Sequence, residues 1–258
     1  MGDVYRWNLH VHTYRSECAL PEMTIPDLCE RGATLGYQAI ALTDHVNLGR
    51  PWELEVLRAD AEELAGYQPP LRVLLGTEAT MLSPTQLCLP AAAAQGLDFV
   101  MVAANHYHLE FVEQPPSLDP DVVAAHCLAM TEGAIALGYC DVIAHPLLRG
   151  SVPLTVRELA QAYPDQGLAQ LCRKAAAAGV ALEINPRLPR AVPDFFSRLF
   201  AAARAAGARF TLGTDAHRLV SLDYDPEHHA TLPELYALGL RPQDLLPPQE
   251  LAGRRGRG

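Results

Sequence analysis

Two histidines separated by a single valine, His10 and His12, close a short apolar run near the start of the chain. Side chains at i and i+2 of an extended strand point to the same side, so this pair can present two imidazoles to one metal ion. A lone His-x-His is as readily a surface or core feature. Six later segments repeat the arrangement, each an apolar run followed at once by metal-ligating or polar groups. They are 39–45 with His45, 72–78 with Glu78, 99–108 with His106 and His108, 141–145 with His145, 181–185 with Asn185, and 209–217 with Asp215 and His217. Imidazoles and carboxylates in these numbers suit zinc, manganese or ferrous iron better than calcium or magnesium, which prefer all-oxygen shells. Two such ions about 3.5–4 Å apart can share a hydroxide, bring the pKa of bound water toward ~7 and clamp a phosphoryl group during in-line displacement. The nucleophile would be solvent, and no catalytic serine or cysteine is needed.

These groups need a scaffold that delivers seven strand ends to one place. The apolar runs predict strands at 4–12, 38–43, 72–78, 99–104, 141–145, 180–185 and 210–213. Between them, Thr24-Ile25-Pro26-Asp27 reads as a helix start with Thr24 as N-cap, and that helix ends at Gly36. Helical spacing continues over 52–66 and 119–138, then over two pieces of 154–178 broken near Pro164 and Gly167. Further helices are expected at 194–206 and near 232–238. Apolar strands alternating with helices call for a parallel sheet covered by helices. Ligands at the carboxyl ends of the strands then favour a distorted seven-stranded (β/α) barrel with the metal site at that end, an open doubly wound sheet being the alternative. No repeat or linker splits the chain, so residues 1–251 are expected to form one domain and 252–258 a disordered tail.

Apolar residues make up 49% of the 258 positions, enough for a large core. The formal charge of −10 argues against a general nucleic-acid surface, although a nucleotide substrate is compatible with it. Lys174 is the sole lysine, and the six cysteines show no pairing that suggests a zinc ribbon or a disulfide framework. The start of the chain lacks the features of a secretory signal, and no stretch of ~18 apolar residues suggests a membrane span. A reducing cytoplasm is the simplest address; the oligomeric state is not legible.

Taken in order, His10-x-His12, Thr43-Asp44-His45, Gly76-Thr77-Glu78, Asn105-His106, Ala144-His145-Pro146, Glu183-Ile184-Asn185 and Thr214-Asp215-Ala216-His217 resemble the motifs of the PHP family, the polymerase and histidinol phosphatase domain. The resemblance runs from Asn8 to His217. It implies a distorted seven-stranded barrel with two or three divalent metals, zinc, manganese or iron, and hydrolysis of phosphoesters. Position by position, it implies that His10, His12, Glu78 and Asp215 hold a first metal, while Glu78, His106 and His145 hold a second, with Glu78 bridging. A third would take His45 and His217 with a residue of the loop after the first strand. That position is often histidine in the family, and here it is Cys18, preceded by Glu17; thiolate is a good zinc ligand.

A phosphoester also needs donors, and arginine's fork matches two phosphate oxygens. Arg187 is the first candidate, with Arg190, Arg15, Arg149 and Arg218 also following strand ends. His108 is a candidate to protonate the leaving group or contact substrate, and Asp44 to orient His45. The expected activity is a metal-dependent phosphoesterase, mono- or diester, acting on a small phosphorylated metabolite such as histidinol phosphate or on a nucleotide. An amidohydrolase-type enzyme is the nearest rival, but many of those bridge their metals with a strand lysine, and Lys174 falls in a predicted helix. A metal-stabilised binding module without catalysis is the third reading.

Overall fold

The structure, a computed structural model, describes residues 5–147 and 152–252. Arg149, the first residue of the expected first strand and the tail beyond Ala252 lie outside the described residues. In chain order the elements are β1 (Trp7–Val11), α1 (Ile25–Thr34), β2 (Ala39–Leu42), β3 (His45–Val46), α2 (Pro51–Ala65), β4 (Arg72–Leu75), β5 (Glu78–Ser83) and β6 (Gln86–Leu87). They continue with β7 (Met101–Ala103), α3 (Pro120–Ala136), β8 (Val142–Ile143), α4 (Val156–Ala162), α5 (Asp165–Ala178), β9 (Ala181–Ile184), α6 (Pro193–Ala206), β10 (Phe210–Leu212), α7 (Leu232–Ala237) and α8 (Pro248–Ala252).

One expected strand, 72–78, is interrupted within its bounds, and another, 38–43, resumes beyond its expected end. Thr43-Asp44 separates β2 from β3, and Gly76-Thr77 separates β4 from β5. Backbone bonds carry the pairing across both breaks: Gly76 N–H donates to Leu42 O at 2.8 Å, and Glu78 N–H to Asp44 O at 3.1 Å. The order is therefore β1, β2 with β3, β4 with β5, β7, β8, β9, β10, all parallel. The ring returns to its start through a parallel bridge between Val11 and Ala216, where His12 N–H donates to Ala216 O at 3.0 Å. The result is a distorted seven-stranded barrel, as the alternation of strands and helices predicts. The sequence reading ended the third strand at Glu78, but β5 runs on to Ser83 and folds back as an antiparallel hairpin with β6.

Helix boundaries follow local chemistry. Thr24 caps α1 by accepting the Asp27 N–H at 3.2 Å, a contact worth about 1 kcal/mol. Pro164 breaks the helical run between α4 and α5, while Gly167 lies inside the first turn of α5 and breaks nothing.

Strand parity divides the core in two. Leu9, Ala39, Ala41, Leu74, Met101 and Val142 belong to an inner cluster, which Leu246 and Leu251 of the C-terminal segment join. Their neighbours Val11, Ile40, Leu42, Val102 and Ile143 face the surrounding helices. On β1 this alternation is interrupted. Asn8 pairs with Ile40 and Val11 with Leu42, so Leu9 and His10 together oppose Ala41. One extra residue of this kind is a β-bulge, a device that re-aims side chains. Leu9 fills the barrel interior, and His10 and His12 turn inward with it rather than outward with Asn8.

Candidate metal centre

The inward residues at the upper ends of the strands converge. His10, His12, Glu78 and Asp215 form one group whose candidate ligand atoms all lie within 4.8 Å of one another; Glu78, His106 and His145 form a second, and His12, His45 and His217 a third. Glu78 is fully buried and shared by the first two groups, and His12 by the first and third. Among the described residues these are the groups assembled from strand ends.

Each of several imidazoles is held at Nδ1 so that Nε2 is left as an acceptor. His10 Nδ1 lies 2.8 Å from Glu183 Oε1. His12 Nδ1 lies 3.4 Å from Ser16 Oγ, whose own proton goes to Asp44 Oδ1 at 2.7 Å. His106 Nδ1 lies 2.9 Å from Thr80 Oγ1, which donates to Asn47 Oδ1 at 2.8 Å. His217 Nδ1 lies 3.0 Å from the Asp215 carbonyl. In every case the partner can only accept, so the hydrogen-bond network assigns the Nδ1–H tautomer. This is the arrangement that fixes metal-ligating imidazoles.

The atoms so exposed face one another. His10 Nε2 and His12 Nε2 are 3.1 Å apart, with Asp215 Oδ1 at 3.4 and 3.3 Å from them. Glu78 Oε2 stands 3.0 Å from His45 Nδ1, 3.3 Å from His10 Nε2 and 3.5 Å from His12 Nε2, yet accepts no hydrogen bond. Glu78 Oε1 is 2.7 Å from His145 Nε2 and 3.4 Å from His106 Nε2. A buried nest of acceptors is costly unless a positive charge enters it. The titration of the ring nitrogens expresses the same demand. Burial disfavours a charged His10, but Glu183 and Glu78 outweigh it and hold the imidazole up at about 10. His12 and His106 stay neutral, His106 pushed down to about 4 by burial. Burial opposes ionisation of Glu78, but His10, His106 and His45 hold its carboxyl well below the usual range. The carboxylates draw a positive charge onto His10 and His45. A divalent ion that took the place of those protons would meet neutral imidazoles and ionised carboxylates, a donor set that fits transition metals.

Two of the converging residues occupy strained backbone. His145 has φ +27° and Asp215 has φ +57°, in the region that side-chain-bearing residues avoid. Such strain, about 1–3 kcal/mol per residue, persists only where neighbours over-determine it. His145 is gripped on both sides: its N–H donates to Glu183 Oε2 at 2.6 Å, and its carbonyl accepts from Asn105 Nδ2 at 3.3 Å. Beside Asp215, Thr214 exchanges bonds of 3.0 and 2.7 Å with Asn8, and its carbonyl accepts from Asn185 Nδ2 at 3.3 Å. The asparagines of the sequence motifs thus brace the turns that carry His145 and Asp215. Gly213 is required by close approach: a Cβ there would lie 2.2 Å from Glu183 Oε1 and 2.4 Å from His10 Cβ.

Other expected site residues fall in varied places. Cys18 is exposed in the loop after β1, and hydrogen bonds from His217 and His45 overcome the effect of burial to bring its thiol down to about 6. His108 is exposed next to His106, with ring centroids 5.1 Å apart. Arg187 is exposed in the loop after β9, where its Nε donates to His229 Nε2 at 3.0 Å. Arg190 is engaged with Glu234 at 2.8 Å, and Arg15 with Asp60 and Glu63 at 2.8 and 2.5 Å, so these two serve the scaffold rather than a substrate. Asp44 does not touch the His45 ring. It accepts the Thr13 N–H at 2.6 Å, the Thr13 hydroxyl at 2.5 Å and the Ser16 hydroxyl, organising the loop after β1 and supporting His12 instead. Glu183 was visible in its motif, but its double role was not assigned from sequence. The inward parity of Ala181 and Glu183 on β9 was the available signal. His229, passed over as ordinary, is buried and holds Arg187. Lys174 lies on α5 and pairs with Glu132 at 2.6 Å, so the lysine bridge of the amidohydrolase-type reading has no counterpart here.

The family model of the PHP domain matches residues 8–187. An uncharacterized protein of Methanocaldococcus jannaschii is 32% identical over 111 residues, 43% of this chain; the chain spans about half (48%) of the length of that curated relative. Among solved structures, the histidinol phosphate phosphatase of Lactococcus lactis subsp. lactis, complexed with zinc, L-histidinol and phosphate, has a TM-score of 0.61 at 17% identity, over 90% of this chain and 92% of that one. A candidate histidinol phosphatase of Listeria monocytogenes has a TM-score of 0.56 at 10% identity, over 86% and 98% of the two chains. At these identities the likeness establishes a shared fold. Asp215 and His217 lie beyond the matched span, at the strand end that closes the ring beside His12. With a family model covering more than two thirds of its length, the chain belongs to the PHP domain family.

Proposed function

We propose that this protein is a metal-dependent phosphoesterase whose centre is built from His10, His12, Glu78 and Asp215, from His106 and His145 with Glu78 shared, and from His45, His217 and Cys18. The observation that carries the reading is the nest of acceptors around Glu78, with imidazoles locked as Nδ1–H tautomers and an orphaned carboxylate oxygen at its centre. Zinc, manganese or iron bound there would supply acidified water and charge neutralisation for a phosphoryl group. The chain's own residues hold the tautomers, exclude bulk water and set the geometry. His108, exposed beside His106, would contact the ester oxygen or donate a proton to the leaving alcohol. Arg187, oriented through its Nε by His229, is the candidate phosphate donor from the loop after β9. A small phosphomonoester such as histidinol phosphate is the first substrate to try, in keeping with the Lactococcus fold relative.

The test is phosphate release from a panel of phosphoesters by protein stripped of metal and reloaded separately with zinc, manganese or iron. Release that requires metal and disappears in His10→Ala supports the reading. Stoichiometric metal binding with no release from any ester refutes catalysis on phosphoesters.

A further inference from the structure

The segment that follows β7 changes partner with each residue. Asn105 Nδ2 donates to the His145 carbonyl, His106 Nδ1 meets Thr80 of β5, and Tyr107 turns away from both into α3. The Tyr107 ring is buried, and its hydroxyl lies 2.8 Å from His126 Nδ1 and 3.3 Å from Cys127 Sγ. His126 Nε2 lies 3.3 Å from Glu113 Oε1. Glu113 in turn donates its backbone N–H to Leu82 O of β5 at 2.8 Å. The chain of contacts therefore leaves the segment at Tyr107, passes through the helix and returns to the same segment at Glu113.

Chemistry fixes the direction of the protons along it. The Glu113 carboxylate can only accept, so His126 carries a proton on Nε2 and its Nδ1 is left to accept from the Tyr107 hydroxyl. That hydroxyl has then spent its single proton, and its oxygen is left to accept from the Cys127 thiol. The Glu113 end is exposed and weak on its own, whereas the Tyr107 end is buried, where an unmade bond is costly. Tyr107 is also the chain neighbour of His106, so a phenol held at this point fixes the backbone on which that imidazole is mounted. Thr80 sets the rotation of the His106 ring but cannot place its Cα. The bond from Leu109 N–H to His106 O, at 3.0 Å, closes the turn without attaching it to another element. Resting on the metal centre proposed above, we propose that His126, itself outside the ligand groups, is a positioning residue: it holds Tyr107 against α3 and so fixes the turn that presents His106 to Glu78.

The experiment measures zinc affinity of the stripped protein in the wild type, Tyr107→Phe, His126→Leu and His126→Gln, with Thr80→Val marking the class of site that depends on His106. Phenylalanine keeps the buried ring and removes the hydroxyl. Leucine removes both ring nitrogens, while glutamine keeps an acceptor for Tyr107 and a donor for Glu113. Tyr107→Phe and His126→Leu are each expected to weaken, by about tenfold, the class that Thr80→Val weakens and no other, the worth of one hydrogen bond. Glutamine restores most of the affinity, and the variant carrying both Tyr107→Phe and His126→Leu is no weaker than either single one, because both break one chain. A tie serving stability alone would lower the melting temperature without this selective loss. Affinities for Tyr107→Phe and His126→Leu within a factor of about two of the wild type, or no rescue by glutamine, overturn the proposal. Should the wild type bind no zinc, the metal-centre reading fails, and the anchor is decided separately by amide exchange over 105–113. Faster exchange in Tyr107→Phe and His126→Leu but not in His126→Gln supports it, and equal exchange in all of them overturns it.

Discussion

Glu183→Gln is the most informative single change, because one carboxylate serves two groups of ligands. Its Oε1 fixes the tautomer of His10, and its Oε2 holds the strained N–H of His145. Glutamine keeps the shape but offers only one acceptor. If its oxygen stays with His145, its NH2 faces the His10 Nδ1–H, donor against donor. Relief then requires His10 to move its proton to Nε2, which removes the lone pair aimed at Asp215 and Glu78. If the oxygen turns to His10 instead, the His145 backbone loses the contact that holds φ at +27°. Either way one ligand is compromised. Loss of such a supporting contact typically costs about 10–100-fold in metal affinity, or about 1.4–2.7 kcal/mol. Isothermal titration of the stripped protein with zinc would measure this. Thr80→Val is the control, since Thr80 supports only His106 and its loss should weaken the group of Glu78, His106 and His145 alone. Affinities for Glu183→Gln within a factor of about two of the wild type would refute the argument, as would a loss no broader than that of Thr80→Val.

Three further outcomes are expected. Glu78→Gln should lose bound metal and phosphate release together, read by elemental analysis and activity; a fully active purified variant would sink the bridging assignment. Gly213→Ala should lower the melting temperature by several degrees, because its Cβ would sit 2.2 Å from Glu183 Oε1 and overpacking costs roughly 1–3 kcal/mol. Cys18 is the exposed cysteine, and its thiol is lowered to about 6. Since the thiolate is the reactive form, alkylation of metal-free protein should accelerate as pH rises through about 6 and level off by neutrality. An ordinary thiol would still be accelerating near ~8.5. Slower alkylation after zinc loading would support Cys18 as a ligand, whereas equal rates with and without zinc would remove it from the centre.

The convergence of the candidate ligands was legible because the fold needs them in a fixed relation to an apolar pattern. A strand that buries one face reveals its parity, and a polar residue just past its end reveals the site, as with His45, Glu78, His106, His145 and Asp215. What holds those ligands was less legible, since it depends on pairs far apart in sequence. Arg15 reads as a free loop cation until α2 supplies Asp60 and Glu63, and Asp44 reads as a partner of its neighbour until Thr13 and Ser16 claim both of its oxygens. The hairpin of β5 and β6 went unread because the ligand at Glu78 looked like the end of a strand that in fact continues.

The first strand shows the limit most sharply. The spacing of His10 and His12 establishes that they share a side, but parity counted from Trp7 or Asn8 places that side outside the barrel. The bulge that sets Leu9 and His10 together against Ala41 reverses the count, and no residue type announces it. Its physical reason lies across the barrel. Glu183 on β9, Glu78 at the start of β5 and Asp215 beyond β10 draw His10 inward through contacts of 2.8 to 3.4 Å, and Gly213 leaves the room for it. The irregularity in the strand is therefore a consequence of the centre it serves. Removal of Leu9 should leave a regular strand, with Asn8 and Val11 outward and His10 and His12 inward. Metal binding should then survive in a chain that has lost only the apolar filling of Leu9, and a folded deletion variant that no longer binds metal would refute this account of the bulge.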